Sequence, residues 1–346
     1  MRVGSWSGDD GEGQQALSSE SPEIDIKPHF GPALGVAPAG GHHLTAGISA
    51  IPQKSYAAEF AEGASLQDAV ACATGAALLQ FRANMAAAET GNAEGIHQMR
   101  VALRRLRTVF VLFAPCCERR TKDRFNTEIR KAGAPLGTAR DWDVFAIQTL
   151  PQAMKDGVAE DLLADLARAA QVGREKAHAA VRRLIQSRQL AVLVGDIEIR
   201  VADGTWRALD GDAATTPAVK LLPGLLDRLL RKVEKRAKGL ASLSPKELHP
   251  LRKSIKKLRY SAEDAGELFK RKRVEDFVKH CKKLQALLGE INDAATTAHF
   301  LEEMGDVGSS RGARALLAWN TKRRALARGK LAPAWHKFHS AEPFWR

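Results

Sequence analysis

The sequence predicts an all-α protein made of two equivalent helical halves, and three observations predict it. From Leu66 onward, apolar residues recur at three- and four-residue spacing in one window after another. Only 14 prolines interrupt 346 residues, so long helical windows survive. A set of residues returns at a constant offset of 152, Phe125 as Phe277, Leu136-Gly137 as Leu288-Gly289, and Asp141 as Asp293. One offset held over some forty residues implies two structurally equivalent helical bundles.

Residues 1–57 stand apart. They are rich in Gly, Ser, Pro and Ala and carry six acids against three bases, which leaves the rest of the chain at +16 of the net +13. They are expected to be a flexible tail. Residues 66–89 predict the first helix, with Leu66, Val70, Ala73, Ala77 and Phe81 on one face. A basic helix over 96–113 follows, entered through Gly91-Asn92 and ended by Pro115. A third helix over 119–136 is expected to close near Gly133-Ala-Pro135 and Gly137, and Asp141-Trp-Asp143 to cap a fourth running towards Met154. Helices over 157–187 and 189–201 complete the first half, 58–205; Asp203-Gly204 and 210–217 form the turn and linker. The second half, 215–335, predicts helices over 218–238, 246–269 (after a Ser244-Pro245 cap), 272–288, 290–304 and 310–329.

Charge and cysteine content narrow the function. A net charge of +13 points to an acidic partner. Four cysteines form neither a metal-ligand nor a disulfide framework, which fits a reducing cytoplasm. With no signal-peptide pattern and no apolar run near ~18 residues, neither export nor a membrane span is expected. His42 and His43 are too isolated for a metal site, and no cofactor is expected.

The stretch that carries chemistry is 96–113. On an α-helix, His97, Arg100, Arg104 and Arg107 fall at about 0°, −60°, −20° and −80°, one narrow stripe opposite an apolar face of Met99, Leu103, Leu106, Phe110 and Phe113. No acid occurs between Glu94 and Glu118. Like charges three and four apart weaken a helix, so the stripe works against its own helix until an anion neutralises it. A solvated basic face would explain one such helix. Its return as His249, Arg252, Lys253, Lys256, Lys257 and Arg259, with Arg105 matching Lys257, points to a site.

The motif His97-x-x-Arg100-Val-x-x-Arg104-Arg105-Leu-Arg107, then Leu136-Gly137-x-x-Arg140-Asp141-x-Asp143, resembles the CHAD family, the conserved-histidine α-helical domains. The copy from His249 to Tyr260, then Leu288-Gly289-x-x-Asn292-Asp293, is similar to that family's second repeat. The resemblance covers roughly residues 60–335. It implies two bundles of about four helices related by a pseudo-twofold axis, with the basic helices facing a central channel. It also implies binding of inorganic polyphosphate, often at intracellular granules. Carried over as ligand contacts are His97, Arg100, Arg104, Arg107, Arg130, His249, Arg252, Lys256, Arg259, Tyr260 and Lys282, with Arg105, Arg140, Lys253, Lys257 and Lys283 in the same motifs. Many relatives begin with a triphosphate-tunnel domain whose Glu-x-Glu-x-Lys strand Glu23-x-Asp25-x-Lys27 faintly resembles. Too few residues separate it from the first helix for a closed tunnel, so triphosphatase activity is not expected.

The residues agree with polyphosphate on separate grounds. A linear polyphosphate offers only phosphoryl oxygens, so its receptor needs repeated point charges and forked guanidinium donors. Tyr260 is the only aromatic in the stripes, whereas single-strand nucleic-acid binders interleave aromatics for stacking. Duplex binding through phosphates stays open, as does a phosphate-processing enzyme. No nucleophile, acid partner or carboxylate set supports catalysis, and arginines one turn from each histidine repel a metal cation. Asp141 and Asp293 are expected to cap helices or brace arginines, and Trp142, Trp319 and Trp335 to pack.

Overall fold

The computed structural model describes residues 51–54, 61, 63–207 and 215–346, and among them the chain is helical with no strand. The expected tail, with Glu23, Asp25, Lys27, His42 and His43, lies outside the described residues except for 51–54. There the Gln53 backbone N–H donates to Asn84 Oδ1 and its carbonyl accepts from Asn84 Nδ2, both at 2.9 Å.

Local chemistry sets the helix starts. Helix α1 (Leu66–Ala83) opens on a capping box in which the Ser65 hydroxyl accepts from Asp68 N–H and the Asp68 carboxylate accepts from Ser65 N–H. The expected single helix over 66–89 breaks at Asn84, whose side chain turns back to Gln53 and Gln80, and resumes as α2 (Met85–Glu89). Asn92 caps α3 (Ala93–Leu112), the first basic helix. A second capping box, Ser244 with Glu247, opens its counterpart α9 (Pro245–Ala265). Between them run α4 (Arg119–Val144), α5 (Leu150–Lys155), α6 (Glu160–Ile185), α7 (Arg188–Ala202) and α8 (Ala218–Ala237). Two long helices follow, α10 (Arg271–Glu303) and α11 (Arg311–His339).

Three expected breaks are absent. Helix α4 runs through Pro135 and Gly137 and passes by one π-helical turn, Phe145–Thr149, into α5. Helix α10 likewise runs through Gly289, and α11 continues past 329 through Pro333. An internal proline costs roughly 3 kcal/mol and a helical glycine about 1. Each large buried apolar side chain returns about 1.5–3 kcal/mol. Ile129, Leu136 and Trp142 keep the buried face of α4 unbroken across Pro135, as Leu284, Leu288 and Ile291 do across Gly289. Asp141 and Asp143 therefore lie inside a helix and cap nothing. Asp143 is fully buried, accepting from Arg174 Nε and pairing with His178 Nε2 of α6, each at 2.9 Å.

The two basic helices occupy matching places. Helix α3 lies against α1 and α4, α9 lies against α8 and α10, and the two pack on each other. Helix α11 packs on α10 and reaches α6. Trp142, Phe145 and Phe300 join α4 to α10, with Trp142 and Phe300 ring centres 4.2 Å apart. Phe125 and its counterpart Phe277 are both buried. Ser65 bridges Pro217, 152 residues on: Leu66 N–H donates to Thr216 O at 3.0 Å and Ala218 N–H to Ala64 O at 2.8 Å. The same offset exchanges these two bonds, so the relation at this point is a local twofold. No helix among the described residues is long and apolar enough to cross a membrane.

Candidate anion-binding site

The apolar faces of α3 and α9 turn inward, and their cationic stripes meet where the helices pack. Met99, Leu103, Leu106 and Phe110 are buried on α3, as are Leu251, Ile255 and Leu258 on α9. Arg100 stands near Arg252, and Arg104 near Lys256, so each residue faces its own counterpart at the offset of 152. Arg104 and Arg259 both stack on the ring of Tyr260, their guanidinium carbons 4.3 and 4.2 Å from its centre. Tyr260 is only 5% exposed. It holds the two arginines together by cation–π attraction against their mutual repulsion.

The site is cationic beyond what its neighbours neutralise. Burial, and then repulsion from Arg252, Arg104 and Arg100, brings the Lys256 ammonium down to about 7; Asp141 opposes the shift. Arg104 is lowered to about 10, again by burial first. Arg107, Arg140 and Arg252 are lowered by burial as well. Burial and then Arg140 hold the His97 imidazole at about 4, so it is neutral near pH 7. Five buried nitrogens here have no hydrogen-bond partner among the described residues: His97 Nδ1 and the Nε atoms of Arg104, Arg107, Arg252 and Arg259. Polar atoms buried without partners are costly, so the cluster is assembled at a penalty.

The two histidines differ. His249 Nδ1 lies 2.8 Å from Asn292 Oδ1, an acceptor to which it donates. Arg140 holds the matching position in the first half; it cannot accept, and His97 Nδ1 has no partner among the described residues.

Acids brace one end of the stripes. Asp141 lies 3.7 Å from Arg100, and Asp293 and Glu94 act on Arg252 and Arg140. Gly137 of α4 and Gly289 of α10 serve the same end. A methyl group placed on either would lie 3.8 Å from Arg100 Nε or 3.7 Å from Arg252 Nη2. These glycines are helical, and each arginine lies beside the neighbouring helix at ordinary van der Waals distance from that methyl position.

Not every expected contact residue joins the cluster. Arg105 turns away and donates through Nε and Nη2 to the buried Asp264 Oδ1, at 3.0 and 2.6 Å, clamping α3 to α9. Arg107 pairs its field with Arg130 and Lys257 farther along. Arg130, Lys253, Lys282 and Lys283 are exposed, and Lys282 lies 3.7 Å from Glu263, which also holds Arg259 at 3.2 Å. Sequence reasoning missed Asp264 and Glu263 as anchors, and Lys232 and Arg236 of α8, whose charges press on Lys257. The i, i+4 spacing of Arg228, Lys232 and Arg236 was the available signal, hidden among bases at 231, 235 and 238. Among the described residues, no three His, Cys, Asp or Glu side chains gather as metal ligands would.

Comparison with known proteins adds four findings. A family model described as CHAD domain matches residues 72–302. Two uncharacterized Mycobacterium tuberculosis proteins are 24% identical over 230 residues, 63% of this chain but 42% of theirs, so the chain spans under half of those relatives. The crystal structure of the CHAD domain from the plant Ricinus communis superposes with a TM-score of 0.68 at 24% identity, covering 87% of this chain and 99% of that one. PptA from Streptomyces chartreusis superposes with a TM-score of 0.56 at 14% identity, over 80% of this chain and 99% of that one.

Proposed function

This chain belongs to the CHAD domain family, and from that premise we propose that it is a non-catalytic binder of inorganic polyphosphate. The family is associated with that ligand. One observation carries the reading for this chain: cations from α3 and α9 converge, with Arg100, Arg104 and Arg252 crowded around Lys256. Phosphoryl oxygens arrive in a row along polyphosphate and match such a double row of donors. In this reading two bundles of about four helices share a basic channel, and association with polyphosphate granules follows from affinity for the polymer. Binding is driven by charge neutralisation and counterion release, with the stripe arginines as contacts.

Calorimetric titration with long-chain polyphosphate at 50 and 200 mM salt tests it. Affinity should fall on the order of tenfold or more across that range. Arg104→Glu combined with Lys256→Glu should abolish binding while circular dichroism stays helical. Unchanged affinity in salt, preferential capture of RNA or duplex DNA in competition, or phosphate release with Mg²⁺ or Mn²⁺ would each overturn the reading.

A further inference from the structure

The 152-residue repeat is broken at one point beside the site. Arg259 of α9 and Lys282 of α10 repeat Arg107 of α3 and Arg130 of α4, so the same two cations stand at matching places in each half. In the first half burial and then Arg130 lower Arg107, and no acid opposes them. The second half adds Glu263 and Asp264, at the places that Val111 and Leu112 hold in the first. Glu263 lies between its two cations. Its Oε1 accepts from Arg259 Nη1 at 3.2 Å and lies 3.7 Å from Lys282 Nζ.

The two acids are not alike. The Asp264 side chain is 8% exposed and its Oδ1 takes two bonds from Arg105, which makes that pair a fixed clamp. The Glu263 side chain is 31% exposed and holds Arg259 by a single bond. Burial pushes the Glu263 carboxyl above its ordinary value, against the pull of Arg259 and Lys282. Helix α9 gains little from it. Glu263 falls in the last turn, where the helix dipole disfavours an anion, and a base four residues before its acid is the weaker order of such a pair. Nor does Arg259 depend on Glu263 for its place, because the Tyr260 ring centre lies 4.2 Å from its guanidinium carbon.

We propose that Glu263 is a built-in competitor of the ligand, occupying Arg259 and Lys282 in the free protein and displaced from them when polyphosphate binds. The proposal rests on the polyphosphate reading and adds to it a residue that restrains affinity. Arg104 shares the Tyr260 ring with Arg259 and acts on Lys256, so these cations are neighbours. Phosphates already held at Arg104 and Lys256 present the next ones to Arg259 at high effective concentration, which lets them replace one carboxylate oxygen. With Val111 in place of an acid, the first half carries no such restraint, and the two stripes contribute unequally.

The test titrates long-chain polyphosphate into the full chain, Glu263→Gln, Arg259→Ala and the double variant, at two salt concentrations, with melting curves to check each fold. Glu263→Gln should bind about three- to tenfold more tightly, within the range by which contacting residues couple. Its salt slope should steepen by about one, as gain of a phosphate contact requires. In the Arg259→Ala background the same substitution should change affinity by less than about twofold. A gain that persists without Arg259 makes Glu263 a distant charge and overturns the proposal. Equal or weaker binding by folded Glu263→Gln makes it a brace for Arg259 and overturns it as well. Glu263→Asp keeps the charge but shortens the reach, so it should retain part of the gain even if Glu263→Gln fails to fold; unchanged affinity there counts against displacement. Failure of the unaltered chain to bind any polyphosphate removes the parent reading instead.

Discussion

Lys256 shows what crowding like charges does to one residue. Arg252 on its own helix, Arg100 and Arg104 on α3, and the acids Asp141 on α4 and Asp293 on α10 surround it. Burial and the cations bring its ammonium to about 7, against about 10.4 in an unfolded chain. Between those values the unfolded state holds the extra proton, so the free protein should gain stability as pH rises from 7 towards 10, with the penalty fully present below 7. A bound oxyanion favours the charged form and reverses the shift. Binding should then take up protons in that window, and affinity should fall as pH rises through it. Calorimetry at pH 8 in two buffers of different ionisation enthalpy measures the uptake; Lys256→Gln should reduce it, and equal uptake in that variant would assign it elsewhere. His97, held at about 4, is neutral throughout and adds nothing to this dependence.

At the scale of the helix, the matched glycines are informative. The pairs 136–137 and 288–289 read as helix ends because leucine followed by glycine is a common stop, yet both sit mid-helix in the same role. What keeps those helices going is burial on the face opposite the glycine, which a local stop signal does not register. Because a methyl at 137 would sit 3.8 Å from Arg100 Nε, Gly137→Ala should be tolerated and raise stability by up to about 1 kcal/mol. Gly137→Leu would fill the space across which Arg100 lies and should weaken polyphosphate binding. Thermal melts paired with titrations separate the two effects. A destabilised Gly137→Ala would mean that the backbone there needs glycine for its own conformation.

For the whole molecule, the decisive contacts are those between the halves. Helix α3 meets α9 through the stripes and the Arg105–Asp264 clamp, and α6 meets α11 where the chain backbones nearly touch. A methyl on Gly312 of α11 would overlap the Leu162 carbonyl of α6. Gly312→Ala should therefore push the two helices apart and destabilise the fold by about 1–3 kcal/mol, the range for overpacking. Polyphosphate affinity should remain unchanged in the folded fraction, since the stripes meet at the other joint. Denaturant unfolding and titration on the same sample check this, and a parallel loss of affinity would show that the α6–α11 joint also sets the stripe spacing.

Periodicity, caps and the 152-residue offset made the helices, both basic stripes and their equivalence legible in the sequence alone, because each depends on residues near one another in the chain or on simple repetition. The partner of each cation was not legible. Arg104 and Arg105 are neighbours with the same side chain, yet one faces the cationic cluster on Tyr260 and the other is bound to a buried carboxylate 159 residues away. Which charges remain free for an anion depends on which side chains long-range packing brings within a few ångströms, and only the tertiary structure decides that.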